Sequence, residues 1–454
     1  MFSSFEKGRH QKDFINRNSE LQLINNAFDA LVDNDRLLNT PIIDFFGVDG
    51  IGKTSVLRQI QLLCDQRDIS CIWLDANDDR SRFLQNISEQ MQMYTLAIEQ
   101  ITDNTHKSFS TSSAQAIKKL LAKKPPVVVL LDSVDVTSEQ QSDWIETMLR
   151  DVIEDTKLCV VLASKQKLSF ERDWSMARKL TLFQLKPLDH AHSELYLSRF
   201  KQTMPDSTKN LIFEWTHGYP LAMDAMLNTI TENNFDLEKD EDQRKLVDII
   251  SKRVIDDQIL AKVEPAKLVH YRDSLALLSF PRRFNLLIIQ ELFTQFAPSI
   301  ASEFKSKLAY MALPGDLKQN TNVLYWDPPR AGFTIDQAVR HIFLLKQKIE
   351  QKERFIEIHA FLAQKNKELM NVVTGSDRMR YLREYLYHSI CSVDAHALAK
   401  IVEEVVQKIL PTSTIEEIIQ FIEEFAVDED LHEALGSNVS VIDTFIEENK
   451  KREG

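Results

Sequence analysis

Three glycines, a lysine and two hydroxyl residues sit together at Gly47-Val48-Asp49-Gly50-Ile51-Gly52-Lys53-Thr54-Ser55, in a chain that has ten glycines altogether. Residues without a Cβ let a backbone reach positive φ and curl its N–H groups around an anion. Lys53 adds a cation to that curl, and Thr54 adds a hydroxyl that can ligate Mg2+. The spacing G-x-x-x-x-G-K-[ST] is therefore phosphate-wrapping chemistry. Lys53 is placed to neutralise β and γ phosphates, and backbone from Gly47 to Ser55 to donate to them. A random chain of this length would match with a probability on the order of one per cent, so a chance glycine turn is the weaker reading.

Such a loop needs a strand before it and a helix after it, because the first amides of a helix supply further donors and a favourable dipole. PIIDFFG precedes the loop and SVLRQIQLLC follows it. Further apolar runs, SCIWLDA, PVVVLLD, KLCVVLAS and KLTLFQL, alternate with helix-length segments. They predict the buried strands of an α/β P-loop NTPase domain, a parallel three-layer sandwich. Asp132 ends the run PVVVLLD, at the edge where a second acid binds Mg2+, usually through water; Asp135 lies further into the loop. Lys53 and Asp132 are the catalytic candidates, and Thr54 and Asp132 the metal candidates. Ser133 stands where many hydrolytic P-loop enzymes carry a water-polarising acid, which a neutral hydroxyl replaces poorly.

At 454 residues the chain divides most simply into several domains. The boundaries read as 1–188 for the P-loop domain with its entry segment and 189–260 for a helical lid. A winged-helix domain follows over 261–349, where NVLYW and AGFTI suggest a hairpin, and then a C-terminal helical bundle over 350–454. A net charge of −13 argues against nonspecific binding to nucleic acid, whose backbone attracts basic surfaces. No apolar run has the length of a membrane span, and the charged N-terminus MFSSFEKGRHQKDF lacks a signal-peptide core, so a cytoplasmic protein is expected. Cys64, Cys71, Cys159 and Cys391 show no metal-ligand spacing and read as buried thiols.

With these motifs in order, the chain resembles the STAND class of signal-transduction P-loop NTPases, which includes the NB-ARC and AP-type ATPases. Phe14-Ile15-Asn16-Arg17-Asn18-Ser19-Glu20-Leu21 is similar to the F-x-G-R-x-x-E-L entry motif, with Asn16 at the glycine position. The resemblance implies that Arg17 approaches the nucleotide. Leu162-Ala163-Ser164-Lys165 occupies the place of the T-S-R sensor. It implies a point-charge contact from Lys165 to the γ phosphate, against the alternative of a solvated lysine. His217-Gly218-Tyr219-Pro220-Leu221-Ala222 resembles the G-x-P-L-A lid motif, whose proline touches adenine. Leu277 to Asn285 looks like the winged-helix turn.

Ile335-Asp336-Gln337-Ala338-Val339-Arg340 falls where M-H-D-x-x-R belongs. Asp336 there would repel a phosphate, so Arg340 and His341 read as packing or salt-bridge residues. The resemblance implies an ATP/ADP-dependent switch using Mg2+, with weak ATPase activity, nucleotide-dependent homo-oligomers and a protein partner on the C-terminal helices. Two alternatives stay open: an AAA+-like ATPase loader or remodeller, and a nucleotide-binding scaffold without hydrolysis.

Overall fold

The computed structural model describes Ile15 and residues 17–453, except 34, 95, 97–106, 137, 171–172, 200–203, 234, 236, 238, 305 and 328–330. Phe14 and Asn16 of the entry motif lie outside the described residues. The chain divides into two compact units, Met1–Glu232 and Asn233–Gly454.

The first unit is built on the apolar runs. Helix α1 (Asn18–Val32) leads into strand β1 (Ile42–Phe46), which is followed by α2 (Lys53–Gln66) and β2 (Ser70–Asp75). Helices α3 (Arg80–Met93) and α4 (Lys107–Lys123) precede β3 (Val127–Val134), and α5 (Glu139–Val152) precedes β4 (Leu158–Ser164) and β5 (Leu180–Gln184). The strands form one parallel sheet in the order β2-β3-β4-β1-β5. Because side chains alternate across a strand, Val127, Val129 and Leu131 face one way, with Leu158, Val160 and Leu162, into a core closed by α3, α4 and α5. Val128 and Leu130 face the other way, toward α2, and are equally buried. Burial on both faces is why β3 and β4 read as continuous apolar runs; β5, expected to be buried, lies at the sheet edge and is only partly covered. Side-chain caps fix two helix starts on the first of these faces: Asp79 accepts from the Arg82 N–H before α3, and Ser138 from the Gln141 N–H before α5. The expected three-layer α/β architecture is the one found.

Three helices complete this unit: α6 (His190–Ser198), α7 (Asp206–Thr216) and α8 (Pro220–Asn233). The turn between α7 and α8 admits no side chain at Gly218. Its φ is +70°, and a Cβ there would stand 1.8 Å from the Leu188 carbonyl oxygen. The Leu188 N–H in turn donates to the Gly218 carbonyl at 2.9 Å, which ties this turn to the chain leaving β5.

The second unit begins with α9 (Asp240–Ser251), extended by a π-helical stretch, Lys252–Ile259. Then come α10 (Pro265–Leu278), α11 (Leu286–Phe296), α12 (Lys307–Thr321) and the antiparallel pair β6 (Leu324–Asp327) and β7 (Gly332–Ile335). Phe284 bridges to Phe333 at the edge of that hairpin. From α10 on, four helices, counting the short Pro298–Glu303, therefore precede this hairpin, which forms where NVLYW and AGFTI suggested one. The segment 240–259, grouped with the lid helices in the sequence reading, falls in this second unit. It packs against α13 (Gln337–Glu350), with an Asp248–Lys346 ion pair at 2.7 Å.

Helices α14 (Lys352–Met370), α15 (Ser376–Ser392), α16 (Ala395–Glu404), α17 (Ile415–Ala426), α18 (Glu429–Leu435) and α19 (Val439–Glu453) complete the chain. Leu382, Leu386, Phe421, Phe425, Leu431 and Ile442 form their shared core. A buried ionic network joins them to the hairpin-bearing part of the unit. Arg282 pairs with Asp428 at 2.5 Å and Glu384 at 3.0 Å; Arg340 pairs with Asp430 at 3.0 Å and donates to the Tyr387 hydroxyl at 2.7 Å. Arg340 is thus a salt-bridge residue, and the His341 Nε2 lies 3.6 Å from the same Asp430 carboxylate. Asp336 is occupied as the N-cap of α13, accepting from the Ala338 N–H at 3.0 Å. Among the described residues no helix is long and apolar enough to cross a membrane. Cys64, Cys71 and Cys159 are buried and Cys391 half-buried, all as free thiols.

Candidate nucleotide-binding site

Gly47 to Gly52 connect the C-terminal end of β1 to the first turn of α2. Gly50 and Gly52 take φ of +80° and +103°, so the loop closes on itself in a conformation that side chains resist. Val48 and Ile51 turn their apolar side chains inward and are buried, leaving the polar backbone to form the curl. Lys53 reaches back across it, donating to the carbonyls of Gly47 at 2.6 Å and Val48 at 2.9 Å. Ser55 is exposed on the first turn of α2.

The period-2 alternation of β3 puts Asp132 on the same face as Val128 and Leu130, above α2. Its carboxylate accepts from the Thr54 hydroxyl at 3.2 Å, so the two oxygen ligands expected for Mg2+ converge. Burial pushes the Asp132 carboxyl above the ordinary aspartate value, opposed by bonds from the Ser133 N–H and from Thr54. Ser133 sits in a bulge of β3 with φ +61°, and its N–H donates to Asp132 at 2.8 Å. A hydroxyl plus a carboxylate, with no soft donor, suits a hard cation such as Mg2+. Among the described residues no group of three or more His, Cys, Asp or Glu could hold a metal ion by itself. A cation here would thus take its remaining ligands from water or phosphate, as Mg2+ commonly does.

Around this centre lie the other residues singled out by sequence. Arg17 is buried and commits its guanidinium to the protein: to Glu20 at 3.2 Å, the Lys186 carbonyl at 2.7 Å and the Ile51 carbonyl at 2.9 Å. It braces the loop's last turn against the end of β5. Lys165 follows β4, its N–H donating to the Val134 carbonyl of β3 at 3.1 Å and its ammonium paired with Asp49 at 2.6 Å. Pro220 opens α8, where its neighbours touch the loop directly: the Tyr219 hydroxyl donates to the Asp49 carbonyl, and Leu221 packs on Gly50.

Three contributors escaped the sequence reading. The sequence offers Tyr219 and Leu221 only as motif neighbours of Pro220. Asp44, fully buried in β1, accepts from the Leu168 N–H at 2.7 Å and lies 2.6 Å from the Ser164 hydroxyl. A lone aspartate inside the run PIIDFFG was the signal available for it. Burial is the main influence raising its carboxyl to about 7.

A strand, a glycine curl with two left-handed positions, a helix, and a hydroxyl–carboxylate pair from the helix and a neighbouring parallel strand are now in place. The fold is that of a P-loop NTPase. No protein-family model and no curated protein matches the sequence. Among solved structures the chain is similar to the Aeropyrum pernix Orc1 protein in complex with DNA, at 14% identity and TM-score 0.39 over 75% of this chain and 94% of that one. It is similar to AMPPCP-bound DnaA from Aquifex aeolicus, at 17% and 0.37 over 68% and 95%. A third likeness is to a STAND protein with a tetratricopeptide repeat sensor from Pyrococcus horikoshii, at 14% and 0.32 over 94% of this chain and 54% of that one.

Proposed function

We propose that the chain is an ATP/ADP-dependent regulatory switch of the STAND type, with slow ATP hydrolysis. The observation that carries the reading is the contact of α8 with the phosphate loop. Leu221 lies on Gly50 and Tyr219 bonds to Asp49, so a polyphosphate that reshapes the loop acts on the start of α8 without an intermediary. A nucleotide shifts two conformations only by its difference in affinity for them, and a contact made by the loop itself supplies such a difference. In this reading Lys53 and the loop amides bind phosphate, and Thr54 and Asp132 hold Mg2+. Arg17 braces the loop, Lys165 reads the terminal phosphate, and α6–α8 form the lid.

Ser133 favours slow turnover, because no carboxylate stands there to polarise water and its backbone is engaged in orienting Asp132. The hairpin-bearing segment acts as a winged helix, and its ionic network with Glu384, Asp428 and Asp430 makes the last hundred or so residues a cap on it. A protein partner would meet the apolar side chains that this cap exposes on α17 and just beyond it, Ile415, Ile419 and Val427. Homo-oligomers would form in one nucleotide state.

Turnover measured with and without DNA tests the reading. A basal rate well below about 1 per second, unchanged by DNA, is expected. Fast turnover stimulated by DNA would transfer the chain to the loader class. Lys53→Ala is expected to abolish nucleotide binding in a direct assay, and undiminished affinity would remove the site assignment.

A further inference from the structure

Asp49 puts a carboxylate inside a loop built to surround an anion. One of its oxygens accepts from Lys165 at 2.6 Å, and the other lies 3.8 Å from the Lys53 ammonium. The three side chains are 33%, 18% and 10% exposed respectively, so the cluster is sheltered and only partly screened. The residue is held at a second point as well, since its carbonyl accepts from the Tyr219 hydroxyl. A carboxylate between two ammonium groups has the charge pattern that a polyphosphate in the loop would produce. Lys165 also stands on the Asp132 side of the site, because its backbone is tied to Val134, two residues past that carboxylate. Metal-bound terminal phosphates would lie on that side.

We infer that Asp49 is a built-in competitor for the phosphates. Its carboxylate holds Lys165 until a nucleoside polyphosphate takes that lysine over, and binding includes breaking the Asp49–Lys165 pair. A triphosphate, with one more charged group to offer Lys165, displaces Asp49 more readily than a diphosphate does. Asp49 and Lys165 thereby set both the affinity threshold and the preference between the two nucleotides. This rests on the nucleotide-binding reading and adds the device by which an occupied loop is told from a free one.

The test is calorimetric titration of MgATP and MgADP into the full chain, for wild type, Asp49→Asn, Lys165→Met and the double variant. Asp49→Asn is expected to tighten MgATP about fivefold or more, and MgADP by less. Lys165→Met is expected to weaken MgATP about fivefold more in the Asp49→Asn background than in wild type, because the freed lysine then contributes fully. Tyr219→Phe releases the second anchor without changing any charge and is expected to tighten MgATP about twofold; it decides the matter should Asp49→Asn fail to fold. Unchanged or weaker MgATP binding by Asp49→Asn and Tyr219→Phe, or strictly additive Asp49 and Lys165 effects, would overturn the inference while leaving the nucleotide site standing. Folded wild-type protein that binds neither nucleotide would remove the site and the inference together.

Discussion

Gly50→Ala is the sharpest probe of the contact between the phosphate loop and α8. The new Cβ would stand 2.5 Å from the Leu221 Cβ and 2.8 Å from its Cδ2, against an ordinary carbon–carbon separation of about 3.5–4.0 Å. Rotation can withdraw Cδ2, but the Leu221 Cβ moves only if the first turn of α8 moves. Holding alanine at φ +80° costs about 1–2 kcal/mol, and overpacking a tight contact costs about 1–3 kcal/mol more. At about 2–4 °C per kcal/mol for a unit of this size, melting of the first unit should fall by on the order of 10 °C. Calorimetric melting reads that loss. Hydrogen exchange reads its location, because the Met223 amide that bonds to the Tyr219 carbonyl at 2.9 Å should lose protection. Gly315→Ala is the control. Gly315 lies inside α12, and a Cβ there meets nothing within 4 Å, so that variant should gain about 0.5–1 kcal/mol. A Gly50→Ala protein that melts within about 2 °C of wild type, with Met223 still protected, would refute the reasoning.

Asp44 predicts a pH dependence. Ser164 has one hydroxyl proton and two oxygen neighbours, Asp44 at 2.6 Å and the Gln166 carbonyl at 2.7 Å, which fits a protonated Asp44 donating to Ser164. A carboxyl raised from 3.8 to about 7 by folding contributes stability that is fully present below about pH 4 and is lost as pH rises through about 7. The loss has an upper bound of about 4 kcal/mol. Urea unfolding at pH 5 and pH 8 should show it, and Asp44→Asn, which can donate and accept in the same places, should flatten it; equal slopes in the two proteins would exclude Asp44 as the source. In the second unit, Arg282→Met leaves Glu384 and Asp428 buried without their shared cation and should cost about 3–5 kcal/mol in the same assay. Arg272→Met breaks a half-exposed pair with Asp256 and should cost less than about 1 kcal/mol; similar losses for the two would contradict the burial argument.

The sheet and its loop were legible because their signals are local. Five apolar runs became five parallel strands, and the glycine spacing fixed the loop between β1 and α2. Asp132 was legible too, since the end of a buried run and a period of two determine both its edge and its face. What the sequence hid depends on separations of more than a hundred residues. The Asp49–Lys165 pair spans 116 positions, and the Arg17 bond to Lys186 spans 169. The pairing of α9 with α13 was hidden for a similar reason, Asp248 lying 98 residues from Lys346. The composition of α9 resembles that of the helices before it, and its apolar face, Leu246, Val247 and Ile250, belongs with α13 because of packing that no local pattern encodes. At Asp336 a capping role is readable from position alone, an aspartate just before a helix.

The ionic network of the second unit also imposes an order of events on synthesis. Arg282 precedes its partner Asp428 by 146 residues, and Arg340 precedes Asp430 by 90. At about 5–20 residues per second, a ribosome takes roughly 7–30 s to deliver the first of those carboxylates after its arginine. Through the later part of that interval, once Arg340 has been made, the nascent chain carries two guanidinium groups destined for its interior and lacks the aspartates that let them enter. Closure of this unit therefore waits for the segment that carries Asp428 and Asp430, and a ribosome that stops short of Asp428 releases a chain that cannot bury its own arginines at low cost.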